Sequence, residues 1–69
     1  MNTQYKNADA AMAEALRRQA EYHDVMAMYH AISGHALSEV RYREMAQSSR
    51  EMAVQWQSWA DVDSERDAA

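Results

Sequence analysis

The sequence predicts an all-α protein in which each chain is a two-helix antiparallel hairpin, dimerising into a four-helix bundle. Three observations lead to this fold class. Proline is absent and glycine occurs once in 69 residues, which excludes the frequent turns of a β fold. Apolar side chains recur in alternating steps of three and four, the period of packed helices. The apolar stripes are also wider than one hairpin can cover, so a second chain is expected.

The first helix is predicted over about residues 4–33. It ends before Gly34, because glycine adopts a positive φ without a Cβ clash. Two apolar stripes run side by side along this helix, and the first alternates large residues with small ones. The first stripe is Tyr5, Ala8, Met12, Ala15, Gln19, Tyr22, Met26 and Tyr29, and the second is Ala13, Leu16, Ala20, His23, Ala27 and His30.

A short loop, residues 34–38, is predicted to lead into a second helix over about residues 39–61, so the two helices should be antiparallel neighbours. Ser38 is the predicted cap of this helix. Residues 62–69 are acidic and would lie at the negative end of the helix dipole, so they are predicted to fray. The main stripe is Tyr42, Met45, Ser49, Met52, Trp56 and Trp59, and Ala46, Ala53 and Ala60 form a row of small residues beside it.

A chain of 69 residues without cysteine has no disulfide to supplement its small core. A homodimer is the simplest source of the missing stability. Burial of one large apolar side chain contributes about 1.5–3 kcal/mol, so the large members of the stripes are the predicted dimer core. They are Met12, Tyr22, Met26, Tyr29, Met45, Met52, Trp56 and Trp59.

No pattern for catalysis or cofactor binding is found. The sequence has no cysteine, glycine-rich loop or nucleophile elbow, and two helices offer little concave surface, so no enzyme and no cofactor are expected. His23 and His30 are seven positions apart, about 10 Å along a helix. That is too far to share a metal ion within one chain, so these histidines are predicted to lie on a half-buried interface.

Nucleic-acid binding stays open as an alternative, in the form of a small dimeric regulator. Gly34 and Val40 match part of a helix-turn-helix register, with Arg41 and Arg43 on the second helix. The net charge of −4 opposes binding to phosphates. No apolar stretch approaches the roughly 18 residues of a membrane span, and no secretory signal pattern is visible. A cytoplasmic protein without a membrane partner is therefore expected.

Protein binding accounts best for the surplus apolar surface, which is widest near Gly34. Adaptable apolar groups mixed with arginines are typical of an interface. The alternative is that Val25 and Ile32 complete the core while the others are solvated. The predicted partner-binding patch is Val25, Met28, Ile32, His35, Val40, Arg41 and Arg43.

The chain, from MNTQYKNADAAMAEALRRQAEYHDVMAMYH through AISGHALSEVRYREMAQSSREMAVQWQSW, resembles the small early anti-activator proteins of transposable temperate phages. Size and helical-hairpin architecture carry the resemblance over the full length. It implies a phage protein that binds a LuxR-type quorum-sensing activator of the bacterial host and blocks its DNA binding. It also implies a pilus-assembly ATPase as a further target. Other phage inhibitors of host proteins, CRISPR inhibitors among them, share this size and architecture. Such an inhibitor is therefore an alternative function.

Overall fold

The structure is a computed structural model that describes residues 7–68, with side chains up to Arg66. This part of the chain forms two α-helices, α1 (Ala8–Ile32) and α2 (Ala36–Ala68), and contains no strand. The helices pack against each other as a hairpin. The predicted fold of the single chain is therefore confirmed. The molecule measures 53 × 24 × 10 Å, so it is one layer thick and two helices wide.

The start of α1 is capped by Asn7, which has an extended backbone and accepts a hydrogen bond from the Ala10 N–H at 2.8 Å. Such a cap satisfies one of the free N–H groups of the first turn. The Asn7 side-chain amide also donates to the Ala60 carbonyl of α2 at 3.3 Å, which ties the start of α1 to α2. The predicted residues 4–6 of this helix lie outside the described residues.

A Schellman turn ends α1. The N–H of His35 donates to the carbonyl of His30 at 2.8 Å, and the N–H of Gly34 donates to the carbonyl of Ala31 at 3.3 Å. Gly34 has a φ of +79°, which only glycine adopts without strain. This pair of reversed hydrogen bonds is the standard way to satisfy the last carbonyls of a helix.

The turn is tighter than the predicted loop 34–38. α2 begins at Ala36, three residues before the predicted start, and the Glu39 N–H donates to the His35 carbonyl. The prediction that Ser38 caps α2 is therefore wrong, because Ser38 lies inside the first turn. The physical reason is that the Schellman turn already reverses the chain at His35, so no further linker is needed.

The predicted fraying of residues 62–69 is wrong for residues 62–68, since α2 continues to Ala68; Ala69 lies outside the described residues. The segment contains neither glycine nor proline, and Arg66 pairs with Asp63 at 3.6 Å one turn earlier. A basic residue in the last turn also suits the negative end of the helix dipole. With 33 residues against 25, α2 is eight residues longer than α1. It exceeds α1 by about 12 Å at 1.5 Å per residue.

Small residues close the hairpin. Leu16 is the only large apolar side chain in the described residues that is buried, at 8% exposure, and Ser49 is the only buried polar one. Each buried methyl contributes only about 0.8 kcal/mol, against 1.5–3 kcal/mol for a large side chain. The core of one hairpin is therefore thin. The remaining buried residues, which we call the alanine seam, are Ala13, Ala20 and Ala27 of α1 and Ala46, Ala53 and Ala60 of α2.

Candidate protein-binding surface

Large apolar side chains lie immediately beside the alanine seam and remain open to solvent. Met12, Met45, Met52 and Trp59 each precede a seam alanine by one residue, and they are 41–49% exposed. Met26 occupies the same position before Ala27 and is half-buried. We call these five residues, Met12, Met26, Met45, Met52 and Trp59, the methionine face.

The geometry of an antiparallel pair places the methionine face on one side of the hairpin. A helical residue is rotated by 100° from its neighbour, and two antiparallel helices run in opposite senses. Residues one position before the seam alanines therefore point to the same side of the hairpin from both helices. Residues four positions after the seam alanines point to the opposite side. On that side, polar side chains of the two helices contact each other.

Those polar contacts define the second side of the hairpin. Arg17 of α1 donates to the Gln57 side chain of α2 at 3.3 Å. Arg50 of α2 forms an ion pair with Asp24 of α1. All four residues follow a seam alanine by four positions, as the geometry requires. We call this side the polar side. Polar contacts join the two helices here, and an open groove lined by Arg17, Arg50 and Val54 runs along it. Within the described residues, the side chains of the methionine face are left largely open to solvent.

Aromatic rings extend the apolar surface. Trp56 is half-buried, and its ring meets that of Trp59 edge-on at 4.9 Å. Tyr22 and Tyr29 are 58% and 57% exposed and flank the methionine face on the outside of α1. Of the eight predicted dimer-core residues, Met26 and Trp56 are half-buried and the other six are exposed in the single chain. The helical period places all eight on or beside the methionine face.

The predicted partner-binding patch is exposed, but not all of it lies together. Val25, Met28, Ile32 and Val40 are 52–82% exposed and lie near the turn, toward the polar side. The alternative in which Val25 and Ile32 complete the core of the chain is therefore wrong. His35 and Arg43 lie near them, and Arg43 is held by Glu39 through two hydrogen bonds of 2.8 and 3.0 Å. The helical period places Arg41 on the other flank of α2.

The arginines do not form a basic surface. Five of them in the described residues have a carboxylate partner within 4 Å, and Arg41 is the exception. Most are neutralised by neighbours on the same helix, as with Arg17 and Arg18 around Glu14. A strip of unpaired cations is what phosphate binding needs. This arrangement opposes the nucleic-acid alternative.

Three histidines and a tyrosine meet at the turn. His30 stacks on Tyr42 with ring centroids 5.3 Å apart and planes 12° apart, and His23 packs on the same tyrosine at 5.9 Å. The Nδ1 atoms of His30 and His35 are 3.1 Å apart. Sequence spacing alone missed this pair. The signal that could have found it is Gly34, because a Schellman turn brings the residue four before its glycine next to the residue after it.

Two carboxyl groups have shifted pKa values. The pKa of Asp9 is raised, first by a hydrogen bond with the Asp63 side chain and then by desolvation and the repulsion between the two charges. The pKa of Glu14 is lowered, chiefly because its carboxylate accepts hydrogen bonds from Arg17 and Arg18. Acidic and histidine side chains of the described residues form no group of three that could hold a metal ion.

Comparison of the chain with known family models, characterised proteins and solved structures finds no match. Within the described residues, neither helix combines the length and the apolar content that crossing a membrane requires. The dominant features of the described surface are the exposed methionine face on one side and, on the other, polar contacts between the helices beside an open groove.

Proposed function

We propose that the protein acts by binding other proteins, first a second copy of itself and then a host protein. The single observation that carries this proposal is the methionine face, which leaves the largest apolar side chains of a small chain in water. A hairpin held mainly by alanines gains more from covering this face than from its own core. In the dimer the two methionine faces form the centre of a four-helix bundle.

Methionine suits such a surface because its flexible, polarisable side chain adapts to irregular partners. Tyrosine and tryptophan, which extend the face here, carry much of the energy at interfaces. Adaptable methionines and aromatic side chains suit both the dimer interface and the surface that binds a host target. We assign the dimer to the methionine face and the target to the turn. Val25, Met28, Ile32 and Val40 are exposed there in the single chain and lie toward the other side of the hairpin.

The target that the resemblance implies is a LuxR-type quorum-sensing activator, with a pilus-assembly ATPase as a second one. On this proposal the protein is a phage anti-activator that works in the cytoplasm of the bacterial host. It inhibits stoichiometrically, by covering the DNA-binding domain or by blocking dimerisation of the activator. Asp61 and Glu65 at the end of α2 are exposed carboxylates that would be attracted to a basic DNA-binding surface.

The experiment is a mobility-shift assay with a purified LuxR-type activator, its DNA site and increasing amounts of this protein. DNA should be released as the protein reaches a one-to-one ratio with the activator. Met28→Ala should weaken this inhibition at least tenfold, about 1.4 kcal/mol, with little change in the stability of the dimer, because exposed positions change it by less than about 0.5 kcal/mol.

The matched control is Met52→Ala, which truncates a methionine of the methionine face. This variant should lower the stability of the dimer more than it weakens inhibition of the activator. If neither variant changes the release of DNA, the turn patch is not the target site. Binding would then have to use the polar side, around Val54 and Arg50. Direct retention of the protein on a DNA column, lost at high salt, would contradict the proposal and favour the nucleic-acid regulator.

A further inference from the structure

The histidine pair at the turn has the dimensions of a metal chelate. The Nδ1 atoms of His30 and His35 are 3.1 Å apart. Two nitrogens bound to a tetrahedral zinc ion at 2.0–2.1 Å are separated by about 3.3–3.4 Å. The two Nδ1 atoms would have to move apart by only a few tenths of an ångström to bind the ion. Both side chains can be reached from solvent. We propose that His30 and His35 together bind one divalent ion of the zinc class through Nδ1.

The backbone already holds the two residues at this distance. The His35 N–H to His30 carbonyl hydrogen bond, at 2.8 Å, joins the backbones of the same two residues and closes the Schellman turn. Gly34, with its φ of +79°, allows that closure. Most of the ordering that a chelate requires is therefore completed when the chain folds, and preorganisation of this kind favours binding.

Ring packing orients the site as well. His30 is stacked on Tyr42, which limits rotation of its imidazole, while its Nδ1 faces His35. Without metal, one Nδ1 must carry the proton of the Nδ1–Nδ1 hydrogen bond. Binding moves that proton to Nε2 of the same neutral ring, so both Nδ1 lone pairs become ligands. Imidazole nitrogen suits zinc, copper and nickel, whereas magnesium and calcium prefer oxygen.

The chelate would join the last turn of α1 to His35, the residue just before α2. Such a clip has the effect that a disulfide would have in a chain with cysteine. Its two protein ligands leave two tetrahedral positions, which we assign to water. The site does not depend on the methionine face or on any host target.

The test is a zinc titration of the full chain, followed by NMR of the imidazole nitrogens and by calorimetry. We expect one zinc ion per chain and large shifts of the His30 and His35 Nδ1 signals, while those of His23 stay in place. Saturating zinc should raise the melting temperature by several degrees, because a ligand that binds only the folded state stabilises it. A chelator should reverse the rise.

His35→Ala should lower the zinc affinity at least tenfold. His35 is exposed, so the variant should fold, and circular dichroism checks this. Asp63→Asn is the control for binding by the acidic end of α2 and should leave the affinity unchanged. Unaltered affinity in His35→Ala, movement of the His23 signals instead, or one zinc ion per two chains would each overturn the single-chain chelate. Since wild-type NMR reports on each ring, the proposal is testable even if a variant unfolds.

Discussion

The alanine seam and the methionine face run along the same two helices, one residue apart, yet one is buried and the other is open. Ala53 is 3% exposed, and its neighbour Met52 is 49% exposed. Both rows repeat every seven residues, so periodicity does not distinguish them. Size does, because small side chains let two backbones approach, whereas long ones are better accommodated by another chain. In this hairpin, the alanines form the contact between the two helices, and the methionines form an exposed apolar surface.

The largest effect should come from overfilling the alanine seam. Ala20→Leu places a large side chain where the helices touch, so we expect a loss of about 1–3 kcal/mol of stability from strain. The melting temperature should fall by about 4–8 °C for each kcal/mol in a domain of this size. Thermal unfolding followed by circular dichroism measures this. Ala31→Leu, at an exposed position of the same helix, is the control and should change little.

A charge on the methionine face should dissociate the proposed dimer and leave the packing of α1 against α2 intact. Met52→Glu should raise the dimer dissociation constant at least tenfold, about 1.4 kcal/mol, because a carboxylate would be buried without a partner. Sedimentation or light scattering at micromolar concentration reports the mass. Val54→Glu, two residues further on and 72% exposed, is the matched control. A wild-type protein that stays monomeric, or equal masses for both variants, would refute the bundle.

The polar side should tolerate change far better than the methionine face. The Arg50–Asp24 pair links α1 to α2 at the surface, with 48% and 45% of the two side chains exposed. Exposed pairs contribute about 0.2–1 kcal/mol. A double-mutant cycle with Arg50→Ala and Asp24→Ala should give a coupling energy in that range, and 1 M salt should reduce it. A coupling above this range would show that the polar side helps to hold the hairpin closed.

The smallest effect concerns pH. Because the pKa of Asp9 is raised in the folded chain, chiefly by its hydrogen bond with Asp63, the folded state holds more protons than the unfolded state between the two pKa values. This group's contribution to stability is thus present at low pH and is lost as the pH rises through that window. Asp63→Asn should raise the melting temperature slightly at neutral pH. Glu65→Gln, a nearby exposed carboxylate, is the control, and an equal rise in both variants would count against the pair.

The effect of Glu14 has the opposite sign. Its pKa is lowered by hydrogen bonds from Arg17 and Arg18, so its contribution is present at neutral pH and is lost on acidification through the folded pKa. Replacing Glu14 by Gln should therefore flatten the acid side of the stability curve, while Asp63→Asn should steepen it. Melting curves of both variants from neutral to acidic pH separate the two contributions. The alanine seam should be insensitive to pH in the same experiment.

The two helices, the break at Gly34 and the ion pairs at a spacing of four positions can be predicted from the sequence alone. These features are local, since each depends on residues no more than a few positions apart. The Glu14–Arg18 and Glu39–Arg43 pairs formed as their spacing indicates, at 3.2 and 2.8 Å. Arg17 and Glu21 have the same spacing of four positions, but no ion pair joins them. Arg17 turns instead to Glu14 and to Gln57 of the other helix.

Which apolar row faces inward depends on how the two helices pack against each other. Both rows carry the same period, and the choice depends on how closely α2 can approach α1, which no local pattern contains. The same is true of the Asp24–Arg50 pair and of the His30–His35 contact, since each requires the chain to reverse at a definite residue. The extent of α2 belongs here too. Its acidic end packs beside the start of α1, where Asp63 meets Asp9, and a dipole argument on one helix cannot foresee that contact.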